Sequence, residues 1–168
     1  MANKKLIGLV GAACAAILYT VTPKYEGTPQ IGYLDPVGIP TACTGHTGPD
    51  VVVGKRYTKQ ECEQMFGEDM FRHASGVLKC TPQLKGRTYQ LAAASDFAFN
   101  KGVGAYCGSS VAAYFRQGDW KNGCRAINQK PNGQPQWVFA TDKHGRKVML
   151  PGLVKRAAEI RKICETDL

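Results

Sequence analysis

The sequence predicts an α+β fold that is mostly helical. A short Gly-rich stretch with β-like character, residues 31–47, comes first, and helix signals dominate from residue 58 onward. The chain has 168 residues, about the size of one domain, and no internal repeat or low-complexity linker divides it. With 43% hydrophobic residues it can bury a core. We therefore expect residues 24–168 to fold as one unit.

An uncharged segment, residues 6–23, lies near the N-terminus between Lys5 and Lys24. Its 18 residues are at the short end of what spans a bilayer as a helix. Glycines and alanines dilute its Leu, Ile and Val side chains, so the segment is weakly hydrophobic for a span. Its pattern is typical of a targeting or membrane segment, and three interpretations remain.

The three interpretations differ in how the segment is processed. A signal peptide would be cut after Ala13 or Ala16, where small residues offer cleavage sites. A lipoprotein signal would be acylated at Cys14, but Gly11 stands where such signals usually have Leu. A retained span would keep the N-terminus in the cytoplasm, because two lysines precede it. Composition leaves cleavage and retention open.

The β-like stretch predicts a hairpin. A strand is expected near Gln30–Leu34, followed by a turn at Asp35-Pro36-Val37-Gly38 and a return strand. The helix after it opens with a capping box, T-K-Q-E, in which Thr58 is the N-cap and Glu61 reaches back.

Four more helices and one polar stretch complete the chain. Residues 131–148 are polar and rich in turn formers, so they predict a loop or a small hairpin. The helices are an Ala-rich buried one over Gln83–Phe99, two shorter ones over Ser109–Gln117 and Asp119–Asn128 that are separated at Gly118, and a basic amphipathic one over Gly152–Cys164 with Leu153, Ala157 and Ile160 inward.

The charge and the cysteine content indicate which partners and which compartment suit the protein. The net charge is +9, from 22 Lys and Arg against 13 Asp and Glu, and it attracts nucleic acid, anionic lipid or bacterial wall polymers without choosing among them. Seven cysteines without a CxxC pair favour disulfides in an oxidising compartment. A metal site would lack the second paired spacing of structural zinc sites; its ligands would be Cys43, His46, Cys62 and His73.

Two carboxylates, Glu26 and Asp35, lie before the predicted hairpin and at its turn. Cleavage of a glycosidic bond needs a protonated acid at the leaving oxygen and a second carboxylate on the far side of the sugar. The two side chains can face each other across a cleft. The spacing alone is weak support, because most such pairs are solvated surface groups.

The sequence resembles the phage-type lysozymes. Glu26, Asp35 and Thr41, followed by G-H-T, are similar to the catalytic hairpin of that family. The blocks TKQECEQMFGEDM, FAFNKGVGAY and GLVKRAAEIRKIC resemble its next helix, its central helix with an F-N-x-G turn and its C-terminal helix. The match covers about residues 24–166. It implies a lysozyme-like fold, with a small β-hairpin lobe and a larger helical lobe flanking a glycan groove.

The resemblance implies an endolysin that causes host cell lysis. Such an enzyme hydrolyses the β-1,4 bonds between N-acetylmuramic acid and N-acetylglucosamine in peptidoglycan, with inversion. Glu26 is then the general acid, Asp35 the carboxylate that stabilises the oxocarbenium-like charge, and Thr41 the residue that positions water. Asn100 and Arg156 bind substrate or support the site, and Arg156 is placed near Glu26.

The three histidines are not expected to be catalysts. His46 is predicted to be a hydrogen-bonded structural residue, with Asp69 as its candidate partner. His73 and His144 are predicted to lie on the surface.

Two positions depart from the family pattern. Cys43 stands where a glycine is common, and Pro40 where a bulkier apolar residue is usual. A cysteine at position 43 and a weak N-terminal segment resemble the subset with an uncleaved signal-arrest-release segment, which favours retention. We then expect a transmembrane signal-arrest helix within residues 1–23 and a catalytic domain at 24–168. The host Sec pathway would place the protein in the inner membrane facing the periplasm, held through residues 6–23, before its release.

The resemblance also implies disulfides and partners. We expect no cofactor, no metal and no nucleic-acid partner, and a monomer that binds peptidoglycan glycan strands. Cys14, in the apolar segment, is a candidate attacker of a disulfide after release. The alternative functions are a non-catalytic basic peptidoglycan-binding protein and a membrane-active protein of the same fold. The implied disulfides are Cys43–Cys62, Cys80–Cys107 and Cys124–Cys164.

Overall fold

The computed structural model describes residues 3–35 and 37–168, so Pro36 of the predicted turn lies outside the described residues. The fold is α+β and mostly helical, as predicted. The chain forms two compact units, residues 1–72 and 73–168. The boundary lies within one long helix.

The first unit contains the apolar segment and the hairpin. Its elements in chain order are α1 (Lys4–Val10), α2 (Ala12–Glu26), β1 (Tyr33–Leu34), β2 (Pro40–Ala42), β3 (His46–Thr47) and the first part of α3 (Lys59–Cys80). The three strands form one antiparallel sheet in the order β1-β2-β3.

The apolar segment forms two helices instead of the single span predicted over residues 6–23. Gly11 separates them with φ 84° and ψ 157°, and their axes are bent by 116°. Asn3 caps α1, because its Oδ1 accepts from the backbone N–H groups of Lys5 and Leu6 at 2.9 and 3.2 Å. No single helix among the described residues is long and apolar enough to cross a membrane, although this bent pair passes by length and composition.

The bent helix pair is packed into the first unit. Leu6 and Cys14 are fully buried, and Leu18 is 1% exposed. The Tyr19 ring packs edge-on against Phe66 of α3, with 5.0 Å between the centroids. The apolar segment is therefore part of the core of this unit.

The Tyr19 hydroxyl also forms hydrogen bonds to the start of α1 and to α3. It donates to the Glu63 carbonyl at 3.2 Å and accepts from the Asn3 N–H at 3.1 Å. Gly67 allows the approach, since a Cβ there would lie 2.3 Å from the hydroxyl oxygen. These contacts hold both N-terminal helices against α3.

The first strand is shorter than predicted, because its first residues pair elsewhere. The Gln30 carbonyl accepts from the Tyr57 N–H, and the Gly32 N–H donates to the Lys55 carbonyl, each at 2.9 Å. The capping box at the start of α3 is confirmed: the Thr58 N–H donates to Glu61 Oε2 at 2.7 Å, and the Glu61 N–H donates to Thr58 Oγ1 at 3.1 Å.

The second unit is built around one buried helix. Every residue from Gln90 to Ala98 is buried. The elements after the end of α3 are α4 (Thr88–Lys101), α5 (Val103–Cys107), α6 (Ser110–Arg116), α7 (Trp120–Arg125), the antiparallel hairpin β4 (Phe139–Thr141) and β5 (Lys147–Met149), and α8 (Pro151–Cys164).

Several helix bounds in the second unit differ from the predictions. The helix predicted from Gln83 begins only at Thr88, because residues 82–84 form a 3₁₀ turn and Gly86 has φ 81°. Helix α5 was not predicted, since it is only five residues long and follows Gly102 at φ 92°. The predicted starts at Ser109 and Asp119 are the N-caps of α6 and α7, each accepting one backbone N–H.

Three disulfides crosslink the two units internally, and they are the three pairs that the resemblance implied. Cys43–Cys62 lies in the first unit, while Cys80–Cys107 and Cys124–Cys164 lie in the second. Cys14 is a buried free thiol.

Replacing both Cys124 and Cys164 by alanine should lower the free energy of unfolding by about 4 kcal/mol. The crosslink spans a sequence separation of 40 residues, and its removal frees that loop in the unfolded chain. Urea unfolding measures the change. A loss below about 1 kcal/mol, or free thiols at both positions in the oxidised wild-type protein, would contradict a stabilising crosslink.

Candidate active site

Glu26 is the last residue of α2. Gly27 ends the helix with φ 73°, and its N–H donates to the Pro23 carbonyl at 3.0 Å. The Glu26 side chain is half-buried, and a Cβ built on Gly45 would lie 3.9 Å from its Oε2. The carboxyl group is therefore beside the turn between β2 and β3. The sequence predicts Glu26 only as a residue before the hairpin, without a helix.

Asp35 is fixed by its own turn. Its Oδ1 accepts from the N–H groups of Val37 and Ile39 at 2.9 and 2.8 Å. Its carbonyl accepts from the Gly38 N–H at 2.9 Å, and Gly38 has the positive φ of 83° that this turn requires. The turn therefore orients the carboxylate at the end of β1, as the sequence predicted.

Thr41 occupies the central strand of the small sheet. It is 5% exposed and pairs with Tyr33 on one side and Thr47 on the other. Its hydroxyl donates to the Ile39 carbonyl at 3.0 Å. Because the hydroxyl proton is used in this bond, the Thr41 oxygen is left to accept hydrogen bonds from other groups. This state suits a residue that orients a water molecule.

Cys43 adopts a backbone conformation that favours glycine. Its φ is 55°, which explains structurally why a glycine is common at this position. The disulfide to Cys62 ties this turn to α3. Both sulfur atoms are bonded to each other, so neither is a thiolate for the metal site considered from the sequence.

His46 is the hydrogen-bonded residue that the sequence predicted. It is 6% exposed, and its Nδ1 lies 2.8 Å from Oδ2 of Asp69, the predicted partner. Its Nε2 lies 3.1 Å from the Asp50 carboxylate, a second partner that was not predicted. Asp69 also pairs with Arg72. The G-P-D turn before the next segment was the available signal for Asp50.

Two carboxylates favour the charged form of the His46 imidazole. Burial opposes protonation, but the hydrogen bonds and charges of Asp69 and Asp50 outweigh it and raise the pKa of His46. The same contact with His46 outweighs the desolvation of Asp50 and lowers its pKa. This network joins β3 to α3 within the first unit.

The second unit contains the other two predicted residues. Arg156 of α8 forms a two-bond ion pair with Asp96 of α4, from Nε at 3.0 Å and from Nη2 at 2.9 Å. The side chains of Arg156 and Asp96 are only 6% and 3% exposed. Asn100 follows one turn after Asp96, and Asn100 and Arg156 line one cavity of about 20 Å³. The predicted position of Arg156 near Glu26 stays a prediction.

Asp96 was missed from the sequence. An acidic residue within an Ala-rich, buried helix was the available signal, since such a charge needs a buried cation as its partner.

The remaining histidines differ: His144 is exposed, as predicted, whereas His73 is half-buried with its ring 5.0 Å from that of Phe99. His73 is therefore only partly exposed, because this aromatic contact covers one of its faces.

Comparison with known structures gives the class of fold. The chain is similar to the muramidase domain of SpmX from Asticaccaulis excentricus, with a TM-score of 0.75, 24% identity, and coverage of 90% of this chain and 95% of that one. The fold is therefore lysozyme-like.

Comparison of sequences gives the family. The phage lysozyme family model matches residues 23–159. The chain is 33% identical to a SAR-endolysin of Pseudomonas phage phiKMV, over 97% of this chain and 93% of that protein. It is 31% identical to a SAR-endolysin of Enterobacteria phage PA-2, over 83% and 76%. The chain belongs to the phage lysozyme family, which assigns it to the glycoside hydrolases.

An Asp69→Asn protein should lose roughly 2 kcal/mol of unfolding free energy at pH 5, since a buried charge-assisted hydrogen bond is removed. The folded pKa of His46 is raised, so this stabilisation is complete below the unfolded imidazole pKa of about 6.5 and declines as pH rises through the folded pKa. The loss should therefore be smaller at pH 9. Urea unfolding at the two pH values measures it.

Asp50→Asn is the matched control, because it removes the carboxylate at the other ring nitrogen. The Asp50 side chain is 59% exposed, so its loss should cost less than about 1 kcal/mol. An Asp69→Asn loss that is equal at both pH values, or no larger than that of Asp50→Asn, would contradict the account.

Proposed function

We propose that this protein is a phage endolysin that hydrolyses the β-1,4 bonds between N-acetylmuramic acid and N-acetylglucosamine in peptidoglycan. The observation that carries the proposal is the position of Glu26, whose carboxyl group lies beside the β2–β3 turn of the small sheet. The same sheet carries Thr41 on β2 and Asp35 in the turn between β1 and β2. A proton donor, an oriented carboxylate and a hydrogen-bond acceptor for water are the groups that glycosidic cleavage uses.

Each group has one step in the proposed inverting mechanism. Glu26 donates its proton to the glycosidic oxygen as the bond breaks. The Asp35 carboxylate stabilises the positive charge that develops on the sugar and accepts the proton of the attacking water. Thr41 orients this water by accepting a hydrogen bond, because its own proton is directed to the Ile39 carbonyl.

Glu26→Gln should lower the release of reducing ends from purified peptidoglycan by about 10²- to 10⁴-fold, since it removes general acid catalysis. Glu68→Gln is the matched control, an exposed glutamate of the same unit that should retain wild-type activity. Both variants should unfold at the wild-type temperature. Near-wild-type hydrolysis by Glu26→Gln would contradict the proposal.

Product analysis separates this reaction from its alternatives. Reduction of the products with borohydride followed by mass spectrometry should show N-acetylmuramitol, the reduced form of a hydrolysed reducing end. A 1,6-anhydro product would instead indicate a lytic transglycosylase. Binding to peptidoglycan without any product would favour the non-catalytic alternative.

We also propose that residues 6–23 are a retained membrane tether that controls this activity. The support is the uncharged segment, the similarity to SAR-endolysins and the burial of several large apolar residues of this segment in the first unit. Leu6 and Leu18 cannot face lipid and the core of the first unit at the same time. The inserted and folded states are therefore mutually exclusive. Release moves the enzyme from the host inner membrane into the periplasm.

Gly11 is the residue whose backbone differs most between the two states. A span must satisfy its backbone groups internally, which requires a continuous helix through Gly11. In the folded state Gly11 has φ 84° and ψ 157°, a region that is essentially limited to glycine. Glycine permits both states.

Gly11→Ala should therefore delay release and lysis, because alanine at this backbone conformation costs the folded state about 1–3 kcal/mol. Gly8→Ala is the matched control: it adds the same methyl group to the same span, but Gly8 lies within α1 and a Cβ there meets nothing within 4 Å. The measurements are the time of lysis and the fraction of protein released from membranes. Equal delays in both variants would show that hydropathy alone sets release, and would contradict the role of Gly11.

The proposed thiol exchange is limited by the folded state. Cys14 is fully buried, and Cys43 is bonded to Cys62. A reaction between Cys14 and a disulfide therefore has to precede the packing of α2.

A further inference from the structure

The net positive charge of the chain lies in the second unit. Residues 73–168 carry 15 of the 22 Lys and Arg residues and 6 of the 13 Asp and Glu residues, so their formal charge is +9. Residues 1–72 carry the other seven of each sign and are neutral overall. An anionic partner is therefore attracted to the second unit.

Within this unit, residues 143–158 contain no acidic residue. They include the turn of the β4–β5 hairpin, strand β5 and the first half of α8. The carboxylate that directly precedes this range, Asp142, is engaged by the turn: it accepts from the N–H of His144, the N–H of Arg146 and the Arg146 Nε at 2.8–2.9 Å. These bonds lower the pKa of Asp142, and the bond from the Arg146 N–H has the largest effect.

Large apolar side chains are exposed between these cations. Met149 is 48% exposed, Leu150 39% and Val154 37%. We define the basic hairpin patch as these three residues with the exposed cations Lys143, Arg146, Lys147 and Lys155.

The strand register places part of the patch on one face. Phe139 pairs with Met149 and Thr141 with Lys147, so Lys147 and Met149 project from the same side of the hairpin. The Lys147 Nζ lies 4.8 Å from the centre of the Phe139 ring. The chain then runs directly into α8, where Val154 and Lys155 are exposed in the first turns.

We propose that the basic hairpin patch binds the anionic surface of a phospholipid bilayer. Wall glycans and nucleic acids engage cations mainly through charged and polar groups, so they bury less of an exposed cluster of Met, Leu and Val side chains than a bilayer does. A bilayer accepts both, because lysines meet lipid phosphates while apolar side chains enter the boundary with the acyl chains. The interaction goes beyond the proposed hydrolysis and does not use residues 6–23. It would keep the released enzyme at the membrane surface.

The test is co-sedimentation of the full-length protein with mixed phosphatidylcholine–phosphatidylglycerol vesicles and with phosphatidylcholine vesicles. Each cation near an anionic surface contributes about a factor of five to binding, so Lys143→Gln/Lys147→Gln/Lys155→Gln should bind the mixed vesicles about 100-fold more weakly. Met149→Thr/Val154→Thr keeps the charge and should also bind more weakly. Wild-type binding should decline with salt and be much weaker without phosphatidylglycerol.

The control variant is Lys85→Gln/Lys121→Gln/Lys130→Gln, which removes the same charge from exposed positions outside the patch. It should retain most of the binding. The N-terminal helices are identical in all variants, so their own affinity for lipid does not distinguish them.

Three results would overturn the proposal. The control variant could lose as much vesicle binding as the patch variant Lys143→Gln/Lys147→Gln/Lys155→Gln, which would leave net charge as the cause. Wild-type protein could bind vesicles without phosphatidylglycerol equally well. The patch variant could lose binding to lipid-free peptidoglycan but not to vesicles, which would make wall polymer the partner. Reducing-end release from purified peptidoglycan, measured in parallel, should be unchanged in the patch variant, so a failure of the proposed hydrolysis is detected separately.

Discussion

The position of the proposed proton donor depends on the packing of α2. Glu26 ends this helix, Gly27 stops it, and the Glu26 carboxyl group then lies beside the turn at Gly45. The same helix buries Cys14 and Leu18 in the core of the first unit. A chain whose α2 is held in a bilayer therefore lacks the packing that positions Glu26. Under the proposed tether, membrane insertion and catalysis would compete for one helix.

Helix α3 is the element against which this arrangement is built. On one side the Tyr19 ring packs on Phe66, and its hydroxyl bonds to the Glu63 carbonyl. On the other side the hairpin is attached by the Cys43–Cys62 disulfide and by the hydrogen bond from His46 to Asp69. The helix that ends at the proposed proton donor and the hairpin are thus both fixed against α3. Sequence signals for this helix were strong, because its capping box is local.

Local chemistry was predictable from the sequence, and features set by tertiary packing were not. The turn at Asp35, the caps at Ser109 and Asp119 and the start of α3 depend on neighbouring residues alone, so their residue types identify them. The break at Gly11 lies inside a weakly apolar segment that also contains Gly8, so the residue types alone do not single out its position. The pairing of Asp96 with Arg156 joins residues 60 positions apart, and only the fold brings them together.

The most direct test of the account compares membrane-held and released protein. Membranes that contain the full chain are assayed on purified peptidoglycan before and after the membrane potential is collapsed, and the released protein is subjected to N-terminal sequencing. The account predicts inactive membrane-held protein and active released protein that retains residues 6–23. Released protein that begins after residue 13 or 16, or equal activity in the membrane-held state, would contradict it.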